Sequence, residues 1–193
     1  MSKLQGLIII VLLLSVSTYV SGQNKESLVI GGQNFGKTRQ QKAEAYLAEF
    51  ASPAFKDSYT NIYSAIKNVL ILLPEYAFEK VTDRSFPVLF TEVPHFGTGR
   101  WANSSGIYVM PDDPPTFTKG MWIVKLNTEL NEGKDVEAIE GVVFHELAHR
   151  VLGHEGGHFS IEVEKEANHL VIKWGFQKQY LKAKASFGTK ATH

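Results

Sequence analysis

The stretch Val136-Glu137-Ala138-Ile139-Glu140-Gly141-Val142-Val143-Phe144-His145-Glu146-Leu147-Ala148-His149-Arg150-Val151-Leu152 decides how this chain is read. Asp135 ahead of it carries an N-capping side chain, Glu137 and Glu140 suit the positive end of a helix, and Gly153 after it can take the left-handed conformation that closes one. The spacing therefore predicts a helix over 136–152. Ile139, Val143, Leu147 and Val151 recur every four residues as a core stripe. His145 and His149 lie off that stripe, one above the other, because residues four apart share a helix face. Glu146 projects to the side of the pair.

Working outward, Ser160 can cap a second helix, with Glu162 and Glu164 in its first turn and Gly175 as its stop. Val163, Ala167, Leu170, Val171 and Trp174 form its apolar stripe. Glu162, Lys165, Glu166, His169 and Lys173 cluster opposite, while Glu164 and Asn168 border the stripe one turn apart. Toward the N-terminus, helical spacing runs through Ala43, Tyr46, Leu47 and Phe50. It resumes with Ile62, Ile66, Val69, Leu70 and Leu73 until Pro74 stops it. Between these regions lie three short β-branched and aromatic runs, Val88–Val93, Ile107–Met110 and Met121–Leu126, bounded by Pro, Gly, Asn and Asp. The segments 94–101 and 111–115 read as surface loops. The pattern is α+β: supporting helices and a small mixed sheet packed on the two C-terminal helices.

The chain has 193 residues, 44% of them apolar, equal numbers of basic and acidic side chains, and no Cys. That suits one globular domain with its own core and excludes a disulfide framework. It also argues against a nucleic-acid partner, which would call for a basic excess. The one basic cluster, Lys178, Lys182, Lys184 and Lys190, reads as a solvated tail. At the N-terminus Lys3, the apolar run Leu7–Leu14 and the small and polar residues up to Gly22 follow the plan of a secretory signal peptide. The apolar stretch falls short of the roughly 20 residues that span a bilayer. The organisation expected is thus a signal peptide at 1–22, a flexible Gly-, Asn- and Gln-rich leader at 23–39 and a domain at 40–193. The mature protein is expected to be secreted or periplasmic, free of the membrane after cleavage, with an uncleaved anchor as the alternative.

Two imidazoles one helical turn apart can reach a single ion. A catalytic zinc needs three protein ligands and an open position where water is activated, and a nearby carboxylate must take that water's proton. His145 and His149 are candidate ligands for one Zn2+, and Glu146 is the candidate general base. Glu162, Glu164 and Glu166 are available as third ligand; the place of Glu164 beside the apolar stripe favours it. Asn168, one turn on, could stand behind a ligand His and accept its second N–H. His154 and His158 compete for the ligand role, but Leu152 and Glu155 stand where the longer H-E-x-x-H-x-x-G-x-x-H pattern needs Gly and His. His158 is instead a candidate for contact with the substrate carbonyl.

His145-Glu146-Leu147-Ala148-His149 together with Glu164-Lys165-Glu166-Ala167-Asn168 resembles the paired H-E-x-x-H and E-x-x-A-D/N motifs of gluzincin-type zinc peptidases. The stretch His145–His154 is similar to HtpX-like peptidases, and Glu164–Asn168 to the ImmA/IrrE group. The resemblance implies a minimal zincin-like metallopeptidase fold, zinc on His145, His149 and Glu164, catalysis by Glu146 and a peptide or protein substrate. It also implies that Met121–Asn127 is the edge strand that holds an extended peptide. Arg150 departs from the pattern, which has an uncharged residue there, and Asn168 replaces the commoner Asp.

Two other readings stand beside this metalloendopeptidase. One is a catalytically silent, peptidase-like zinc protein that acts as a secreted binding module; closure of the fourth metal position by His154 or His158 would favour it. The other places glycan binding in the loop of His95, Arg100 and Trp101, although a single Trp in such a loop more often simply packs.

Overall fold

The computed structural model describes residues 38–94, 101–109, 119–133, 135–154 and 160–188. Residues 1–22, expected to be a signal peptide, and nearly all of the leader expected at 23–39 lie outside them. Four helices come first: α1 (Arg39–Phe50), α2 (Pro53–Asp57), α3 (Thr60–Leu72) and α4 (Glu75–Val81). The periodicity finds α1 and α3. Helix α2 follows the Ser52 cap, whose hydroxyl accepts from the Ala54 N–H, with Pro53 at its first position. Pro74 ends α3 as expected but also starts α4, since its ring fixes a φ of −54° and a first turn needs no N–H from it.

Three strands follow, β1 (Val88–Val93), β2 (Ala102–Val109) and β3 (Lys119–Asn127). They pair in the order β1-β3-β2, with β1 parallel and β2 antiparallel to β3. Val88, Phe90, Ala102, Ser104, Trp122, Val124 and Leu126 are buried, alternating with partly exposed neighbours, as a sheet with one covered face requires. β2 starts five residues earlier than its β-forming residues suggest. Asn103-Ser104-Ser105-Gly106 has little strand propensity, but each residue is in register with β3. The expectation that Met121–Asn127 forms an edge is wrong: these residues belong to β3, paired on both sides, and β1 and β2 are the edges.

A short 3-10 turn, Thr128–Glu132, leads to α5 (Val136–Leu152), α6 (Ile161–Lys173) and α7 (Gln177–Phe187). The ends of α5 are those its sequence predicts. Asp135 accepts from the Glu137 N–H, and Gly153 closes the helix at φ 77°. More of α5 is enclosed than one stripe: Ala138 to His149 are all buried, because α3, α4, α6, α7 and β2 pack around it. A helix surrounded on every side carries apolar residues on most faces, as Val142, Phe144 and Ala148 do here.

The C-terminal lysines are not a free tail. Helix α7 lies so close to α5 that a Cβ on Gly141 would collide with the carbonyl of Gln179. Lys178 pairs with Glu137, and Lys182 with Glu137 and Asp135. Ala183 is fully buried. Lys190 lies outside the described residues. Trp101 also packs: its indole N–H donates to the Phe187 carbonyl at 3.0 Å and its ring lies 4.9 Å from that of Phe187. His95 and Arg100, the other parts of the glycan-loop reading, lie outside the described residues. The whole is α+β, with seven α-helices and one three-stranded mixed sheet among the described residues. No helix among them is long and apolar enough to cross a membrane.

Candidate metal centre

Helix α5 presents His145 and His149 toward the first turn of α6, and Glu164 meets them there. Ser160 caps α6 by accepting the Val163 N–H, and a carboxylate in that first turn also suits the helix dipole. His145 Nε2 is 3.0 Å from Glu164 Oε2 and 3.1 Å from His149 Nε2, while His149 Nε2 is 3.6 Å from Glu164 Oε1. All three side chains are buried, and their donor atoms lie within 4.8 Å of one another. This buried group can hold a metal ion.

The hydrogen bonds behind the imidazoles say which nitrogens face the centre. His145 Nδ1 lies 3.0 Å from Asn168 Oδ1, an acceptor, so Nδ1 carries a proton and, in the neutral ring, Nε2 is left with a lone pair. On the other ligand, His149 Nδ1 is 2.9 Å from His154 Nδ1, and His154 Nε2 is 3.0 Å from Glu166 Oε2. An ionised carboxylate only accepts, so His154 donates to Glu166 from Nε2. With that single proton on His154, its Nδ1 accepts from the His149 Nδ1–H, and His149 Nε2 is also a lone pair. Two imidazole lone pairs and a carboxylate thus converge in a buried pocket. That arrangement is repulsive without positive charge between the atoms and well matched to a cation.

The electrostatics agree. With a proton rather than a metal ion among the three groups, burial opposes the ionisation of Glu164, but hydrogen bonds from and charge interactions with His145 and His149 prevail and hold its carboxyl at about 2. Burial likewise disfavours a charged His145, yet the hydrogen bond to Glu164, the charges of Glu146 and Glu164 and the contact with Asn168 shift it upward overall. Both shifts show a site that attracts one positive charge.

Glu146, the candidate base, is buried on α5 and close enough for its charge to act on His145. The hydroxyl of Ser104, on β2, approaches the Glu146 backbone carbonyl at 3.4 Å. Nothing in the sequence singles out Ser104, because this contact joins elements 42 residues apart. His154 does not close a fourth metal position, since both its nitrogens are engaged away from the centre. His158 lies outside the described residues. Glu162 is exposed, and Glu166 turns to His154 rather than to the ligand pair.

Arg150, the residue that departs from the motif pattern, points away from the centre. Its guanidinium donates to the Phe86 carbonyl at 3.1 Å and sits 4.6 Å from the centroid of the Phe86 ring. Half-burial pulls its pKa below the usual arginine value. This charge ties α5 to the chain leading into β1 and leaves the ligand set untouched.

Comparison with known protein families, with curated proteins and with solved structures finds no match to this chain.

Proposed function

We propose that the protein is a zinc-dependent endopeptidase of gluzincin type, secreted or periplasmic, with a zincin-like fold. The observation that carries this reading is the convergence of the two His Nε2 atoms and the Glu164 carboxylate at the helix that also carries the buried Glu146. Two imidazoles and one carboxylate, with no thiolate, form a donor set suited to catalytic zinc. A zinc ion held there supplies Lewis acidity, which acidifies water to a pKa of about 7 and polarises a carbonyl.

The chain's own groups divide the remaining work. His145, His149 and Glu164 hold the ion, and Asn168 and His154 fix the direction of the two rings. Glu146 accepts the proton of the attacking water on its carboxylate and passes it to the departing amine. The substrate-holding role expected of Met121–Asn127 moves to β2. This strand is an edge of the sheet, runs antiparallel to β3 and packs on α5. An extended peptide paired along it by backbone hydrogen bonds would lie beside the helix that carries Glu146.

Hydrolysis of an unstructured protein tests the proposal. Purified protein should cleave it, a chelator should stop cleavage, and added zinc should restore it. Tight zinc binding without cleavage would instead favour the silent zinc protein.

A further inference from the structure

We infer that His154 and Glu166 form a positioning relay that sets the tautomer and direction of the ligand His149; the inference rests on the metal-site reading above. The backbone fixes the place of His154. Gly153 turns the chain at φ 77°, and the His154 N–H donates to the His149 carbonyl at 3.0 Å, which folds the residue back over the end of α5. Its ring then lies 5.1 Å from that of His149, inclined by 60°. Glu166, reaching across from α6, binds its far nitrogen.

With both rings neutral, the chain runs from His149 Nδ1–H to His154 Nδ1 and then from His154 Nε2–H to the Glu166 carboxylate. A negative charge at the far end strengthens each bond and makes His149 Nε2 a better donor to a metal, as a carboxylate bonded directly to a ligand His does. His145 has no such relay. Its Nδ1 meets the neutral amide of Asn168, so the two ligand imidazoles are supported by groups of different charge. Glu166 also does this from the surface, with its side chain 63% exposed and that of His154 only 14%. A solvated glutamate on an outer helix face thereby acts on a buried ligand without touching the metal.

Zinc affinity, measured on the full chain by competition with a chromophoric chelator, tests this in wild type, His154→Phe, Glu166→Ala and Glu162→Ala. Glu162 is exposed on the same helix and serves as the control. Loss of the relay should weaken zinc binding by about 10–100-fold in His154→Phe and Glu166→Ala, and leave Glu162→Ala unchanged. The visible absorption bands of the cobalt-substituted protein should shift in the same two variants, a signature that general loosening of α6 would not confine to them. Wild-type affinity and wild-type cobalt bands in Glu166→Ala would overturn the relay, whether or not His154→Phe folds. Absence of zinc binding in the wild type would overturn the metal reading itself, and the relay with it.

Discussion

The Nε2 atoms of His145 and His149 lie 3.1 Å apart in a buried pocket, while the Nδ1 atoms of the same rings are held from behind by Asn168 and His154. Fixing the outer nitrogens aims both lone pairs at one point, where Glu164 adds a carboxylate.

Glu164→Ala should lose stoichiometric zinc. In the wild type, zinc at 100 times its dissociation constant should stabilise the fold by about 2.7 kcal/mol, because it binds only the native state. Thermal melts with and without zinc check this: a rise in midpoint is expected for wild type and none for Glu164→Ala. An equal rise in both would remove Glu164 as a ligand.

Acid should weaken the joint between α5 and α7. Hydrogen bonds from Lys178 and then Lys182 hold the Glu137 carboxyl at about 2, below its ordinary value of 4.5. A depressed folded pKa contributes stability that is complete above about 4.5 and is lost as the pH falls toward about 2. The ion pairs are exposed, so the effect should be small and diminish further in salt. Urea midpoints of wild type and Glu137→Gln should therefore differ at pH 6 and converge as the pH falls through that window. A constant difference down to pH 2 would contradict the assignment.

The hydroxyl of Tyr46 should matter to stability apart from the packing of its ring. The buried phenol accepts the Val88 N–H at 2.7 Å and lies 3.0 Å from the carbonyls of both Val81 and Val88, tying the end of α4 to the start of β1. Tyr46→Phe keeps the ring but leaves the Val88 N–H without its partner in the core, at a cost of about 1–3 kcal/mol. Urea unfolding would show it as a lower midpoint with an unchanged slope; an unchanged midpoint would contradict it.

The centre was more legible in the sequence than the sheet around it. Asp135, Gly153 and Ser160 mark helix ends through local backbone chemistry, so the His pair and Glu164 can be placed one turn at a time. Strand order is not local. That Met121–Asn127 would be central depends on Ala102–Leu126 and Val88–Trp122 pairings between segments with no sequence signal for each other. Helix α7 was hidden for a different reason. Its buried face is little more than Tyr180, Ala183 and Phe187 among lysines, and the acidic partners of Lys178 and Lys182 lie on α5, more than 40 residues earlier. The role of Glu166 was masked by its exposure, which the spacing of α6 correctly indicates. Only the turn at Gly153, which folds His154 back, reveals its contact.

The central claim is that Glu146 performs the proton transfers beside a metal held by other residues. Its most direct test pairs zinc content with hydrolysis of an unstructured protein in Glu146→Gln. The amide has nearly the same shape and cannot accept the proton, so the variant should retain one zinc per chain and lose at least about 10²-fold in kcat. Full hydrolysis by a zinc-loaded Glu146→Gln protein would contradict the account.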